Sequence, residues 1–205
     1  MSGLDLTPEE ENYWRVVKVI IDDVPRKLRD LLRSSFQEKY RFMWGNNSTS
    51  GKFFIAQVPK NKLPKKRDQH ITDTVEKGNS EQFDCTTLFF CLLFSGIDLL
   101  PSARRKELRA PPFNQSECVD QLRAKRNSVA HATTASLSNA EFREMIQEIE
   151  EIYRELKWNQ TELTKTSSGH LWPAEYKRLQ QKVDMERARI DDHERRLSEV
   201  EGMLN

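Results

Sequence analysis

Apolar residues return every three or four positions along most of this chain, and only briefly every second one. Thr7-Pro8-Glu9-Glu10 opens the first such run. Thr7 can cap a helix, Pro8 suits its first position, and Glu10 can complete a capping box. Trp14, Val17, Ile20, Ile21 and Val24 follow at helical spacing. Pro25 has no N–H and its ring crowds the preceding turn, which predicts a break near Asp22-Asp23. Leu28, Leu31, Leu32, Phe36, Tyr40 and Met43 make the stripe of a second helix.

Residues 44–51 read as a loop by composition, and Phe53-Phe54-Ile55-Ala56-Gln57-Val58 is the one strand-like stretch. It is too isolated to imply a sheet. Residues 59–64 read as an extended basic loop, and a short helix over 71–76 is expected to stop at Gly78. Asp84 is placed to cap the strongly apolar segment 85–94, which should be the most buried element. Residues 104–112 read as a surface loop closed by Pro111-Pro112. Ser116 is expected to cap a helix over 117–130. Ser138 and Glu141 form a second capping box ahead of Phe142, Met145, Ile146, Ile149, Ile152, Tyr153 and Leu156, an amphipathic stripe.

Residues 159–173, rich in Thr, Ser and Lys, read as a linker. Beyond them Tyr176, Leu179, Val183, Glu186, Ile190, His193, Leu197, Val200 and Leu204 fall alternately three and four apart, a heptad seam. Glu186 and His193 are its polar members. In a parallel pair of such helices Arg189 meets Glu194 and Arg196 meets Glu201, while Lys182 opposes Arg187. The seam predicts a coiled coil over 174–205, the alternative being one amphipathic helix folded back on the domain. The expected architecture is all-α: a helical domain over 5–158, the linker 159–173 and the long helix.

Composition narrows the classes. Only seven glycines and eight prolines in 205 residues leave little for a turn-rich β fold. Net charge is +1, so no global field attracts a polyanion, although Lys60, Lys62, Lys65, Lys66 and Arg67 crowd one segment and Arg104, Arg105, Lys106 and Arg109 another. Cys85, Cys91 and Cys118 are odd in number and widely spaced, which argues against a disulfide framework and a zinc ribbon. His70, His170 and His193 lack metal-ligand spacing, and no glycine-rich phosphate loop is present, so no metal or other cofactor is expected. No basic-then-apolar leader opens the chain, and the longest apolar run, 88–94, falls far short of the about 20 residues a bilayer needs. A cytoplasmic protein without a membrane partner is the expectation.

The segment that carries chemistry is Arg123-Ala124-Lys125-Arg126-Asn127-Ser128-Val129-Ala130-His131. Asn127 and His131 are four apart and share a helix face. Arg126 lies about 140° around from His131 on an ideal helix, so the two converge only if the guanidinium bends over or the helix loosens. An arginine and a histidine at a helix end can also simply satisfy its free carbonyls.

The Arg126-Asn127-(x)3-His131 pattern resembles the signature of the HEPN superfamily. Phe83-Asp84-Cys85-Thr86-Thr87-Leu88-Phe89 and the spacing from there to the 142–156 helix are similar to the subfamily named after a DAZ-interacting ubiquitin ligase, over roughly residues 5–158. The chain lacks a cysteine-rich finger, so ligase activity is not carried over. The resemblance implies a helical bundle that dimerises through the motif-bearing helix, lining one cleft with two copies of Arg126 and His131. Many members are metal-independent endoribonucleases that leave a 2′,3′-cyclic phosphate; others serve only dimerisation or binding.

On that reading His131 moves protons, Arg126 holds the scissile phosphate, and Asn127 positions the phosphate or the histidine. Arg123, Lys125, Lys65, Lys66 and Arg67 are candidates to contact single-stranded RNA. Tyr40, Trp44 and Phe53 read as core, with base stacking as the alternative. The competing expectation is an inert assembly module that joins protomers or signalling proteins.

Overall fold

The computed structural model describes residues 6–100 and 114–202, with side chains for all of these except Arg67 and 192–202. The described residues form helices and turns and contain no strand. Among the described residues nine α-helices follow in order: α1 Pro8–Lys18, α2 Val24–Tyr40, α3 Ser48–Gln57, α4 Gln69–Lys77, α5 Cys85–Phe89, α6 Gln115–Ala130, α7 Asn139–Glu155, α8 Thr161–Ser168 and α9 Pro173–Gly202. No described helix is long and apolar enough to cross a membrane. The chain divides into two compact units, a terminal one (Met1–Val24 with Leu122–Asn205) and a central one (Pro25–Gln121).

Local chemistry sets many of the boundaries. Thr7 and Glu10 close the expected capping box on α1, and Ser138 and Glu141 close theirs on α7. Asp84 Oδ1 accepts from the Thr87 N–H at 2.8 Å and starts α5. The expected break at Asp22-Asp23 is instead a π-helical turn, Val19–Asp23, in which the Val24 N–H reaches back to the Val19 carbonyl. The wider turn takes up Pro25, which has no N–H for the usual bond. A second π-helical turn, Phe90–Phe94, prolongs α5 until Ser95 bonds back to the Phe90 carbonyl.

In the central unit the strand-like 53–58 is helical as far as Gln57, within α3. Ser50, Gly51, Phe54 and Val58 are the buried positions, at helical spacing, and Asn47 Oδ1 caps the helix through the Ser50 N–H. Gly51 fits because its bare Cα lies on α4; a Cβ there meets the Val75 carbonyl at 2.0 Å. Gly78 ends α4 at φ +72°, and a Cβ on it meets the Asn47 carbonyl at 1.9 Å. Trp44 is buried and donates to the Gly78 carbonyl at 2.8 Å. Edge-on rings of Phe36, Trp44, Phe54 and Phe83 fill this core, which makes Trp44 a core residue, and the half-buried Tyr40 and Phe53 lie against Phe36. Cys85, Cys91 and Cys118 are buried here and form no disulfide. The 59–64 loop is not fully extended, since Lys60–Lys62 makes one 3-10 turn. The expected loop at 104–112 lies outside the described residues.

In the terminal unit, α1 packs on α7, α8 and α9. Asn12 Nδ2 donates to Asn139 Oδ1 at 2.9 Å, Tyr13 donates to the Val129 carbonyl at 2.9 Å, and the buried Tyr153 hydroxyl donates to Asp23 at 2.8 Å. Residues 161–168, expected in a linker, form α8. Leu163 and Leu171 are buried on either side of its end and hold the segment to the unit. The first half of the heptad seam packs within the terminal unit. Leu179, Val183, Glu186 and Ile190 are buried within the chain, and Tyr176 stands edge-on to Trp14 at 4.8 Å. The Lys182, Arg187 and Arg189 side chains, expected to face a partner helix, bond within the unit. The later seam positions His193, Leu197, Val200 and Leu204, with Glu194, Arg196 and Glu201, lie outside the described side chains.

Candidate functional site

The motif sits on the last turns of α6. Asn114 starts that helix instead of Ser116: Asn114 Oδ1 accepts from the Glu117 N–H at 2.9 Å, and Glu117 Oε2 accepts from the Asn114 N–H at 3.0 Å. Asparagine caps as well as serine, and only from position 114 does the glutamate fall at the reciprocal site. Beyond Cys118 and Val119, the buried positions of α6 are Leu122, Arg126, Val129 and Ala130. Arg126 thus occupies a core position, 5% exposed.

Its guanidinium is held from both sides. Nε and Nη2 donate to Glu186 Oε2 at 2.9 and 2.6 Å, and Nη1 donates to Asn127 Oδ1 at 2.9 Å. Glu186 comes from α9, is itself 6% exposed, and takes Arg189 Nη1 on its other oxygen at 2.9 Å. Asn127 Oδ1 thus braces the Arg126 guanidinium. His131 follows the end of α6, with its N–H on the Asn127 carbonyl. Its ring is 37% exposed, and Nδ1 lies 3.9 Å from Asp191 Oδ1, also on α9.

A cation does cap this helix end, and it comes from α9. Arg187 donates from Nε to the Ala130 carbonyl at 2.7 Å and from Nη2 to the Ala132 carbonyl at 3.2 Å. Lys125 pairs with Glu148 of α7. Arg123 is half-buried on α6. Lys65 and Lys66 are exposed but belong to the central unit, as does Arg67, whose side chain lies outside the described set. The second basic cluster, 104–109, lies outside the described residues. Among the described residues no group of three or more His, Cys, Asp or Glu side chains is placed to hold a metal ion.

The same helix is fastened to α1 and the turn after it. Lys18 pairs with Glu175 at 2.8 Å, and Asp22 pairs with both Arg178 and Lys182. Burial pushes the Asp22 carboxyl up, but the two cationic hydrogen bonds outweigh burial and hold it below the ordinary value. Sequence reasoning missed Glu186, Arg187 and Asp191 as neighbours of the motif. The available signal was the carboxylate at seam position 186, since a buried charge requires a partner somewhere.

Comparison with protein-family models, with curated proteins and with solved structures finds no match to this chain. What stands is an all-helical protein whose Arg-Asn-(x)3-His motif lies against the acidic side chains of its own long helix.

Proposed function

We propose that the chain is a HEPN-type module whose Arg126, Asn127 and His131 form a site for the phosphates of single-stranded RNA. One observation carries the reading: Arg126, steadied by Asn127, already holds an oxyanion. Two guanidinium N–H groups converge on one carboxylate oxygen, an arrangement that equally suits a phosphate oxygen. His131, exposed at the end of the helix, is the group available to move protons.

The chemistry then available is transesterification. A 2′-oxygen bonds to the adjacent phosphorus as its proton passes to a base. The bond from phosphorus to the 5′-oxygen breaks, and that oxygen takes up a proton. The products are a 2′,3′-cyclic phosphate and a 5′-hydroxyl, with no metal required. Pairing of two chains through α6 belongs to the same reading, because it would set two motifs around one cleft.

The test is binding and cleavage of single-stranded RNA in EDTA at low salt. Binding is expected to weaken as salt rises, and any cleavage to disappear in His131→Ala while binding persists. The reading falls if neither the intact chain nor its Glu186→Gln variant binds RNA.

A second reading, an inert assembly module, is favoured by the burial of Arg126, which leaves the guanidinium serving as an anchor for α9. Self-association in light scattering, with no RNA binding by either protein, selects it.

A further inference from the structure

We propose that α9 is an acidic strap over the motif, with Glu186 and Asp191 standing where RNA phosphates bind, so that the chain regulates its own access to RNA. This rests on the RNA-facing reading above and adds its control.

The register carries the inference. Arg126 and His131 are five residues apart on α6 and the turn after it, and Glu186 and Asp191 are five apart on α9. They are matched in the same order, the arginine to Glu186 at 2.6 Å and the histidine to Asp191 at 3.9 Å. Arg126 and His131 therefore each face a carboxylate of one helix. Between them Arg187 holds the Ala130 and Ala132 carbonyls, fixing α9 against the end of α6.

Stability alone does not call for this arrangement. Glu186 interrupts an otherwise apolar stretch, Leu179, Val183 and Ile190, and well-packed apolar residues generally serve a core as well as a buried ion pair or better. What an ion pair offers and an apolar contact does not is exchange: a second anion can take the place of the first. The remaining polar ties of α9 suit release. Glu175 with Lys18, and Arg178 and Lys182 with Asp22, retain contact with water, and such pairs are individually weak and screened by salt. A polyanion competes for the same cations, and lifting α9 frees Arg178, Lys182 and Arg187 from their present partners.

The experiment measures fluorescence anisotropy of a short fluorescein-labelled oligouridylate in EDTA at low salt. It compares the full chain, E186Q/D191N, and R126A in the E186Q/D191N background, each checked by circular dichroism. E186Q/D191N is expected to bind at least about tenfold more tightly than the unmodified chain, the scale of one charge-assisted hydrogen bond, and R126A to erase the gain. Equal or weaker binding by E186Q/D191N overturns the strap while leaving the RNA reading intact. A gain that survives R126A overturns it too, because the effect is then general loss of negative charge. Absence of binding in every protein removes the RNA reading along with the strap. Should E186Q/D191N fail to fold, hydrogen exchange on the unmodified chain decides. RNA is expected to speed exchange of amides 177–191 while α7 is unchanged, and unchanged or slower exchange in 177–191 overturns the strap.

Discussion

The central and terminal units are both built of helices, but different forces hold their key contacts. In the central unit, Gly51 and Gly78 leave no room for a Cβ against neighbouring carbonyls, and a cluster of aromatic rings fills the space between helices. In the terminal unit the closing helix α9 is fixed by Arg126–Glu186, Arg187 on two carbonyls, and the Asp22 and Lys18 pairs, alongside a short apolar stripe. Steric fit has no substitute partner. A charge does, which opens the α9 contacts of the terminal unit to competition by salt, protons or another anion.

Four variants probe that contrast, in descending order of effect. Phe36→Ala, which empties the centre of the aromatic cluster, is expected to cost about 4 kcal/mol in denaturant unfolding, independent of salt. A loss that shrinks with added salt breaks the comparison from the central side. Arg126→Ala is expected to cost about 3 kcal/mol, because it leaves the buried Glu186 with Arg189 at the edge of the site. Arg126→Met with Glu186→Leu together should lie within about 1 kcal/mol of the unmodified chain. If the double variant loses as much as the single one, the pair is contributing stability and not exchangeability.

The smallest effect concerns Asp22. Its carboxyl titrates below the ordinary value when folded, so its contribution is complete above about pH 4 and is lost as pH falls through the lower folded value. Asp22→Asn is expected to cost under about 1 kcal/mol at neutral pH and to flatten the acid decline of α9 helicity. An unaltered acid limb removes Asp22 from the account.

Features fixed within a few residues were legible in the chain. The boxes at Thr7 and Ser138, the Asp84 cap and the Gly78 stop each depend on groups no more than three residues from what they bind. Features fixed by tertiary contact were not. Phe53-Phe54-Ile55 has the residue types of a strand, and it becomes helix because Gly51 lets α3 lie on α4. The 159–173 segment reads as linker because its two leucines, 163 and 171, are too sparse to show a period. The motif residues themselves stood out by type and spacing, but the partner of Arg126 is 60 positions away. A heptad pattern states that one face is apolar; whether a second chain or the chain's own core covers it depends on geometry that the pattern does not encode.

The placement of the cysteines gives this contrast a chemical clock. Cys85, Cys91 and Cys118 all belong to the central unit, and burial, with Asp84 adding to it, pushes the Cys91 thiol well above its ordinary value. An alkylating reagent attacks the thiolate, so modification waits for the core to open. The terminal unit carries no thiol at all. Labelling rates therefore time the breathing of one half of the molecule, while the strap can lift and settle without leaving a covalent trace.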